Sequence, residues 1–428
     1  MSKENFVHYA FENNVLRYKS YLNEFTQDLF NKFEAKSKEI GLQSKIDNLF
    51  NGKKVNYTED LAAWHPKYRN DQQINNNDLK YYELFQSAKN IVTIGIGGSF
   101  EGPKLLLENA GITSRNYIFV TGSDPEEFKE KTKTLIPRET IFIVSSKSFT
   151  TEETIITFNN ALRWSGDINM FIAVTANKAE ATKYNINNII EFDREIGGRY
   201  SVWSDISIAA HWENNIEFKK NFLLGGKQAD IDLKEDNDYY RFVKYLSYSD
   251  IWLHNSMNKN TRAVLSYIWK FRSFPNYVQQ LEMESLGKQP NKNSEFKKTG
   301  QIIFGGFGPT AQHSYFQLLH QGTQDICADI IASENDTKSL AYAQALTQAE
   351  LLSNGTNDFL QEEEKINGNV PVNLFILKNE DSFSLAYLLA TWEHRTYITS
   401  IMLGINPFDQ FGVNAGKIYT NKYQVNKD

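Results

Sequence analysis

Short runs rich in β-branched residues alternate with helix-like segments, and this alternation constrains the fold more than any other feature of the sequence. The first five runs are IVTIGI (91–96), NYIFV (116–120), TIFIVSS (140–146), MFIAVT (170–175) and NIIEF (188–192). Segments such as TTEETIITFNNALRW separate them. This alternation is typical of βαβ units, in which helices cover both faces of a parallel sheet.

The same alternation returns after a helical stretch near residues 220–260. The later runs are RAVLSYIW, QIIFGG, DICADIIA and NLFILK. Residues 1 to about 50 have helical spacing without strand patterns, and Ser384 to about Gly404 predicts one long helix. The sequence therefore predicts two parallel-sheet α/β subdomains with helical additions at both ends.

We predict five parts along the chain. They are a helical N-terminal segment (1–75), a first α/β domain (76–215), a helical connector (216–260), a second α/β domain (261–383), and a C-terminal helix and tail (384–428).

Composition excludes several classes of protein. A formal net charge of −6 argues against broad nucleic-acid binding, which needs clustered Lys and Arg. No apolar run approaches the ~20 residues that cross a bilayer, and the N-terminal residues do not form a signal peptide. Cys327 is the only cysteine, so no intramolecular disulfide or multi-cysteine metal site can form, and we expect it to be buried. These features predict a cytoplasmic protein without a membrane or nucleic-acid partner.

Two strand-to-helix junctions have the composition of a phosphate site, where backbone N–H groups and a helix dipole point at an anion. They are IGIGGSFEGP (94–103) and SSKSFTTEET (145–154). In the first, Gly95, Gly97 and Gly98 let the backbone approach closely and Ser99 supplies a hydroxyl group; the second offers Ser146, Ser148, Thr150 and Thr151. Both junctions follow strands of one predicted sheet, and ligands bind at the carboxyl ends of such strands.

Each junction also has a purely structural interpretation. The glycines fit a tight turn, and Thr150 with Glu153 has the spacing of a capping box. A nucleotide-dependent oxidoreductase is a further alternative, but Phe100 occupies the third glycine position of a dinucleotide fingerprint. No Gly-Lys-Ser/Thr follows, so the loop is not a Walker A motif. Phosphate is favoured over a nucleotide.

A carboxylate that moves a proton between adjacent sugar carbons needs a cation or hydrogen-bond donor beside it. Gln280 and Glu284 lie four residues apart and share one helical face, and Gly287 predicts the end of that helix. Taken alone, Glu284 is more often a solvated helix residue, and the same applies to Glu282. Arg199 follows Gly198, which admits a ligand close to the backbone.

His313 is predicted near the start of a helix, where the dipole favours a neutral imidazole. Lys417 is predicted in a turn-rich segment beyond the long C-terminal helix. Taken alone, each has an ordinary alternative as a core, capping or surface residue.

Five segments resemble, in order, the signature segments of the glucose-6-phosphate isomerase family and cover residues from about 91 to 417. They are IGIGGSFEGP, SSKSFTTEET, IGGRYSVWS, QQLEMESLGK with QHSYFQLLHQGT, and FDQFGVNAGK. The resemblance implies two SIS-type (flavodoxin-like) αβα domains. It also implies interconversion of glucose 6-phosphate and fructose 6-phosphate in glycolysis and gluconeogenesis, without a metal or an organic cofactor.

The resemblance also implies a role for each matched residue. Glu284 matches the base, Arg199 the group that steadies the enediolate, and His313 with Lys417 the pair that opens the sugar ring. The matched substrate contacts are Gly98, Ser99, Ser146, Lys147, Ser148, Thr151, Gly198, Gln280 and Gln410. Family members are homodimers in which this histidine reaches the neighbouring subunit's site.

The chain departs from the family pattern at supporting positions. Ser148 replaces a threonine, Leu286 an asparagine and Asn414 a glutamate. Pro309 stands in the turn before His313, and Asp205 occupies a position that is usually small or glycine. The proton-handling residues are kept, so we expect an active enzyme. A non-catalytic phosphosugar-binding regulator is the alternative, and acceptance of mannose 6-phosphate stays open.

Overall fold

The computed structural model describes residues 9–70, 79–111, 113–214, 216–356 and 361–425. Its strands are β1 (Tyr9–Glu12), β2 (Leu16–Ser20), β3 (Asn90–Ile94), β4 (Asn116–Val120), β5 (Thr140–Ser145), β6 (Phe171–Thr175), β7 (Asn188–Glu191), β8 (Thr261–Ser266), β9 (Ile302–Phe307), β10 (Ile326–Ser333) and β11 (Val372–Leu377).

The helices connect these strands and extend beyond them. They are α1 (Gln27–Glu39), α2 (Leu42–Phe50), α3 (Pro66–Asn70), α4 (Tyr82–Ser87), α5 (Glu101–Ala110), α6 (Pro125–Thr132), α7 (Glu152–Ser165), α8 (Lys178–Thr182), α9 (Ile208–Glu213), α10 (Ile216–Glu235), α11 (Asn237–Asn255), α12 (Phe274–Leu286), α13 (Gly308–Ala311), α14 (Phe316–Gln321), α15 (Leu340–Asn354), α16 (Ser382–Leu403) and α17 (Asn414–Val425).

The first sheet is parallel throughout, in the order β4-β3-β5-β6-β7. Every residue of β5 is buried, because helices cover both faces of a parallel sheet. Alternate residues face two separate apolar clusters, with Val92 and Val144 in one and Ile91 and Ile143 in the other. The predicted α/β class is confirmed.

The second sheet has the order β1-β2-β11-β10-β8-β9. Strands β8 to β11 are parallel, as in the first sheet. At the other end, β2 runs antiparallel to β11 and β1 antiparallel to β2. The second unit is therefore a parallel sheet extended by an N-terminal hairpin.

That hairpin corrects the prediction of an N-terminal segment without strands. In β2, Leu16, Tyr18 and Ser20 are buried while the residues between them are only partly buried, which is the two-residue period of a strand. The side chain of Asn13 fixes the turn by accepting from the backbone N–H groups of Val15 and Leu16, each at 2.9 Å. The sequence pattern did not reveal these strands, because they are only four and five residues long and a segment with helical spacing follows them.

Helix α16 is the core helix of the molecule, and nearly all of it is buried. Asp381 caps its start by accepting from the backbone N–H of Ser384 at 2.8 Å, and Gly404 ends it in the left-handed conformation. None of the helices described is long and apolar enough to cross a membrane. Cys327 is buried as predicted, and burial raises the pKa of its thiol to about 12.

Candidate active site

Two loops follow neighbouring parallel strands and so meet at one edge of the first sheet. We call residues 95–99, after β3, the Gly loop, and residues 146–151, after β5, the Ser/Thr loop. A Cβ atom on Gly95 would lie 3.0 Å from the carbonyl oxygen of Ser145, so the loops approach through their backbones. Each loop leads into a helix, α5 or α7, whose N-terminus faces this edge.

The hydroxyl groups of the Ser/Thr loop converge. Ser146 Oγ lies 3.3 Å from Thr151 Oγ1 and accepts from the backbone N–H of Phe149 at 3.1 Å. Thr151 is the N-cap residue of α7, yet its side chain makes no capping bond. The capping box proposed for Thr150 is therefore wrong, and the Thr151 hydroxyl is directed to Ser146 instead of the helix end.

The other two loop residues differ in exposure. Ser148 is exposed, and its Oγ accepts from the backbone N–H of Thr150 at 3.2 Å. Lys147 is half-buried, and burial lowers the pKa of its ammonium group, with Glu59 acting in the opposite direction. A partly desolvated ammonium beside hydroxyl groups is suited to binding a phosphate.

The Gly loop packs against the segment that carries Arg199. A Cβ atom on Gly98 would lie 2.1 Å from the carbonyl oxygen of Gly198, so no side chain fits at Gly98. A Cβ atom on Gly97 would lie 3.0 Å from Nε2 of Gln280 in α12. The Gly loop is thus in contact with both the arginine segment and the helix of the second unit.

Glu284 lies in α12 between a cation and an amide. Arg199 Nη1 donates to Glu284 Oε2 at 3.0 Å, and Gln280 Nε2 donates to Glu284 Oε1 at 3.1 Å. Arg199 is almost fully buried, whereas the side chain of Glu284 is 34% exposed. The structure therefore brings a carboxylate and a guanidinium together at an accessible position beside the Gly loop.

The segment after α16 closes the other side of this centre. Gln410 Oε1 accepts from Arg199 Nη1 at 2.9 Å. Lys288 Nζ forms an ion pair with Asp409 Oδ1 at 2.9 Å, and burial lowers the pKa of the Lys288 ammonium. A cavity of about 680 Å³ opens here, lined in part by Glu284, Lys288 and Gln410.

Neither His313 nor Lys417 takes part in these contacts of Glu284 and Arg199 within the described chain. Both side chains are exposed. His313 lies two residues beyond the end of the four-residue helix α13, so the prediction that it stands at a helix N-terminus is wrong. The helix begins before His313 because Pro309 is favoured in its first turn. Lys417 lies within α17 and not in a turn-rich segment, because the helix begins at Asn414.

Sequence reasoning missed Ser285, Lys288 and Asp409. Ser285 Oγ accepts from Arg199 Nε at 2.9 Å, and Lys288 pairs with Asp409 across the cavity. Ser285 and Lys288 lie within the ESLGK motif, but a short motif does not reveal which side chains turn inward. The feature that could have indicated the missed acceptor Ser285 is the guanidinium of Arg199, because its five N–H donors need acceptors once the group is buried.

Two α/β units built on parallel strands define the fold of this chain as SIS-type, and loops from the first unit lie beside a carboxylate of the second. Its fold is similar to the crystal structure of a glucose-6-phosphate isomerase from Chlamydia trachomatis, with a TM-score of 0.87 and 24% identity over 100% of this chain and 92% of that one. It is also similar to the C-terminal domain of glucosamine-fructose-6-phosphate aminotransferase from Francisella tularensis, with a TM-score of 0.53 and 10% identity over 86% and 97%.

The chain belongs to the phosphoglucose isomerase family, whose model matches residues 72–427. A glucose-6-phosphate isomerase of Legionella pneumophila (strain Paris) is 32% identical over 414 residues, covering 89% of this chain and 83% of the relative. One from Neurospora crassa is 32% identical over 470 residues, covering 94% and 83%. The family resemblance of the five signature segments is confirmed.

Proposed function

We propose that this chain catalyses the reversible isomerisation of glucose 6-phosphate to fructose 6-phosphate through ring opening and an enediolate, within glycolysis and gluconeogenesis in the cytoplasm. The observation that carries the proposal is the contact of Glu284 with Arg199 and Gln280, next to the Gly loop. The relatives named above act on glucose 6-phosphate by name, and they match most of the chain.

The substrate phosphate binds to Ser99 and to the Ser/Thr loop. Ser146, Ser148 and Thr151 supply hydroxyl groups, Lys147 supplies positive charge, and Gly98 admits the ligand to the backbone. Binding energy gained at the phosphate, remote from the reacting carbons, holds the sugar in place for proton transfer.

Glu284 removes the proton from C2 and returns it to C1. Arg199 lies 3.0 Å from this carboxylate, so the same guanidinium is in reach of the oxyanion that develops on the substrate. Gln280 and Gln410 flank the pair and bind sugar hydroxyl groups, and Gly198 leaves room for the sugar. Supply of the proton and stabilisation of the charge thus come from opposite units of the fold.

The first test is an assay of the purified full chain for fructose 6-phosphate formed from glucose 6-phosphate, with a chelator present. Glu284→Gln keeps the shape and the hydrogen bond from Gln280 but removes the base. We expect turnover to fall by several orders of magnitude, on the order of 10³ or more, while phosphosugar binding persists. Near-normal turnover by Glu284→Gln would contradict the assigned role.

A homodimer with shared sites is the second part of the proposal. His313 is exposed and makes no bond to Glu284 or Arg199 within the described chain, so it is available to a neighbouring subunit. Exposed apolar side chains, among them Trp269 and, on α17, Ile418, offer surface for contact between subunits. His313 of one subunit with Lys417 then opens the sugar ring.

Complementation tests the shared site. Glu284→Gln and His313→Ala are each expected to be inactive alone. If they are mixed, dissociated and reassociated, each mixed dimer holds one site with both Glu284 and His313 intact. About a quarter of wild-type activity should then appear. No recovery on reassociation, with mixed dimers demonstrated by mass, would place His313 in its own subunit's site.

A further inference from the structure

The guanidinium of Arg199 has five N–H groups, and each one has an acceptor. The acceptors are Glu284 Oε2 (3.0 Å), Gln410 Oε1 (2.9 Å), the carbonyl oxygens of Pro407 (2.5 Å) and Asp409 (2.9 Å), and Ser285 Oγ (2.9 Å). Only the first two face the accessible side of the site. The other three lie in the interior and fix the plane of the group.

Ser285 is the one interior acceptor that belongs to a side chain. It is fully buried in α12, directly after Glu284. Its Oγ also lies 2.9 Å from the hydroxyl of Tyr200, and the Tyr200 ring stacks on His65 at 4.6 Å between centroids. The acceptor that holds the guanidinium is therefore itself held by packed groups.

The backbone of Arg199 is fixed by a second hydroxyl group from the same helix. The hydroxyl of Tyr277 lies 3.2 Å from the carbonyl oxygen of Arg199 and 3.3 Å from Oε1 of Glu393. Glu393 is buried in α16 and accepts from Nε1 of Trp203 at 2.8 Å and from Arg69. Tyr277 thus ties the arginine segment to the charged centre of the core.

We propose that Ser285 and Tyr277 are positioning residues for Arg199, with Ser285 aligning the guanidinium and Tyr277 aligning the backbone that carries it. This rests on the proposed function, in which Arg199 stabilises the enediolate. Because the substrate phosphate binds elsewhere, misalignment of Arg199 weakens transition-state stabilisation more than substrate binding.

The test uses Ser285→Ala and Tyr277→Phe in the full chain, each of which removes one hydroxyl group and keeps the packing. We expect kcat to fall about 10- to 100-fold and KM to stay within about twofold, since a displacement near 1 Å costs roughly that much turnover. The matched controls are Ser247→Ala and Tyr248→Phe in α11, whose hydroxyls bond elsewhere in the core. Both controls should keep wild-type kcat.

A second measurement does not depend on activity. Hydrogen exchange of the Arg199 Nε–H, followed by NMR in arginine-labelled protein and assigned with Arg199→Lys, should be slow in the wild type. In Ser285→Ala it should be faster by about tenfold or more, because the acceptor is gone. If the wild type lacks isomerase activity, the proposed function fails, whereas this exchange rate still decides whether Ser285 fixes Arg199.

An unchanged kcat in both variants of an active enzyme would overturn the proposal. So would a rise in KM without a fall in kcat, or an unchanged exchange rate in Ser285→Ala. If Ser285→Ala does not fold, Tyr277→Phe decides alone, because it leaves every acceptor of the guanidinium in place.

Discussion

Glu282 and Glu284 lie two residues apart in α12 and face opposite sides of it, since two residues turn an α-helix by about 200°. Glu282 is buried and accepts from Arg262 and, at 2.9 Å, from Nε1 of Trp392. Burial raises the pKa of Glu282. At the scale of single residues, two identical side chains therefore divide between the buried core and the accessible cavity, which Glu284 lines.

This difference predicts separate effects for the two Glu→Gln substitutions. Glu282→Gln leaves the buried guanidinium of Arg262 short of one carboxylate, which should lower the free energy of unfolding by about 3 kcal/mol. The folded fraction should keep its turnover. Urea unfolding measures the loss of stability and steady-state kinetics measures the turnover. In Glu284→Gln we expect the opposite result, lost turnover with little loss of stability. Normal stability with lost turnover in Glu282→Gln would reverse the assignment.

At the scale of elements, the site depends on loops that touch through glycine. The Gly loop can contact the arginine segment because Gly98 carries no side chain there, whereas a Cβ atom on Gly198 would meet Gly98 only at 3.7 Å, an ordinary contact. In the Ser/Thr loop, Phe149 has a φ of 54°, a left-handed conformation that is costly for a side chain of its size. Its ring is fully buried, so packing in the apolar cluster beneath the loop maintains that conformation.

We expect Gly98→Ala to abolish most of the activity, because the added methyl group would lie 2.1 Å from the carbonyl oxygen of Gly198 and force the two segments apart. Gly197→Ala is the matched control, since its Cβ atom would meet only the carbonyl oxygen of Phe408, at 3.9 Å. Comparing kcat/KM of the two variants tests the contact. Equal values would mean that the loops need not touch.

At the scale of the whole molecule, buried histidines set how the fold responds to acid. Burial lowers the pKa of His65 to about 3 and that of His254 to about 4. Burial also lowers the pKa of His211 and His394. These groups stay neutral in the folded protein but take up protons near pH 6.5 once the chain unfolds. The stability that these four histidines contribute is therefore complete above about pH 6.5 and is lost as the pH falls below it.

His211 offers the sharpest test, because neither ring nitrogen has a hydrogen-bond partner among the residues that the structure describes. Its ring lies against Phe218 and Phe222, and the charge of Lys219 adds to the effect of burial. We expect His211→Leu to lose less stability than the wild type between pH 7.5 and 5.5, by about 1 kcal/mol. Urea unfolding at the two pH values measures this. Parallel losses in both proteins would show that His211 does not contribute.

Much of the fold and part of the site could be predicted from the sequence. The buried parallel strands were predictable because each is a continuous run of apolar β-branched residues, as in TIFIVSS. The position of the two loops was predictable because glycine and serine directly after a strand mark a strand-to-helix junction. The hairpin at β1 and β2 was not predictable from local pattern, because β2 is stabilised by its pairing with β11, more than 350 residues away.

Local period and motifs were enough to predict the order of the buried parallel strands with their connecting helices, the family and the chemical types of the candidate site residues. Which side chains meet could be learned only from the three-dimensional packing. Arg199 reaches Glu284 across 85 residues and Gln410 across 211, and Ser285 turns inward because α12 packs on the arginine segment. Such contacts depend on the packing of elements that are far apart in the sequence, so no local sequence pattern predicts them.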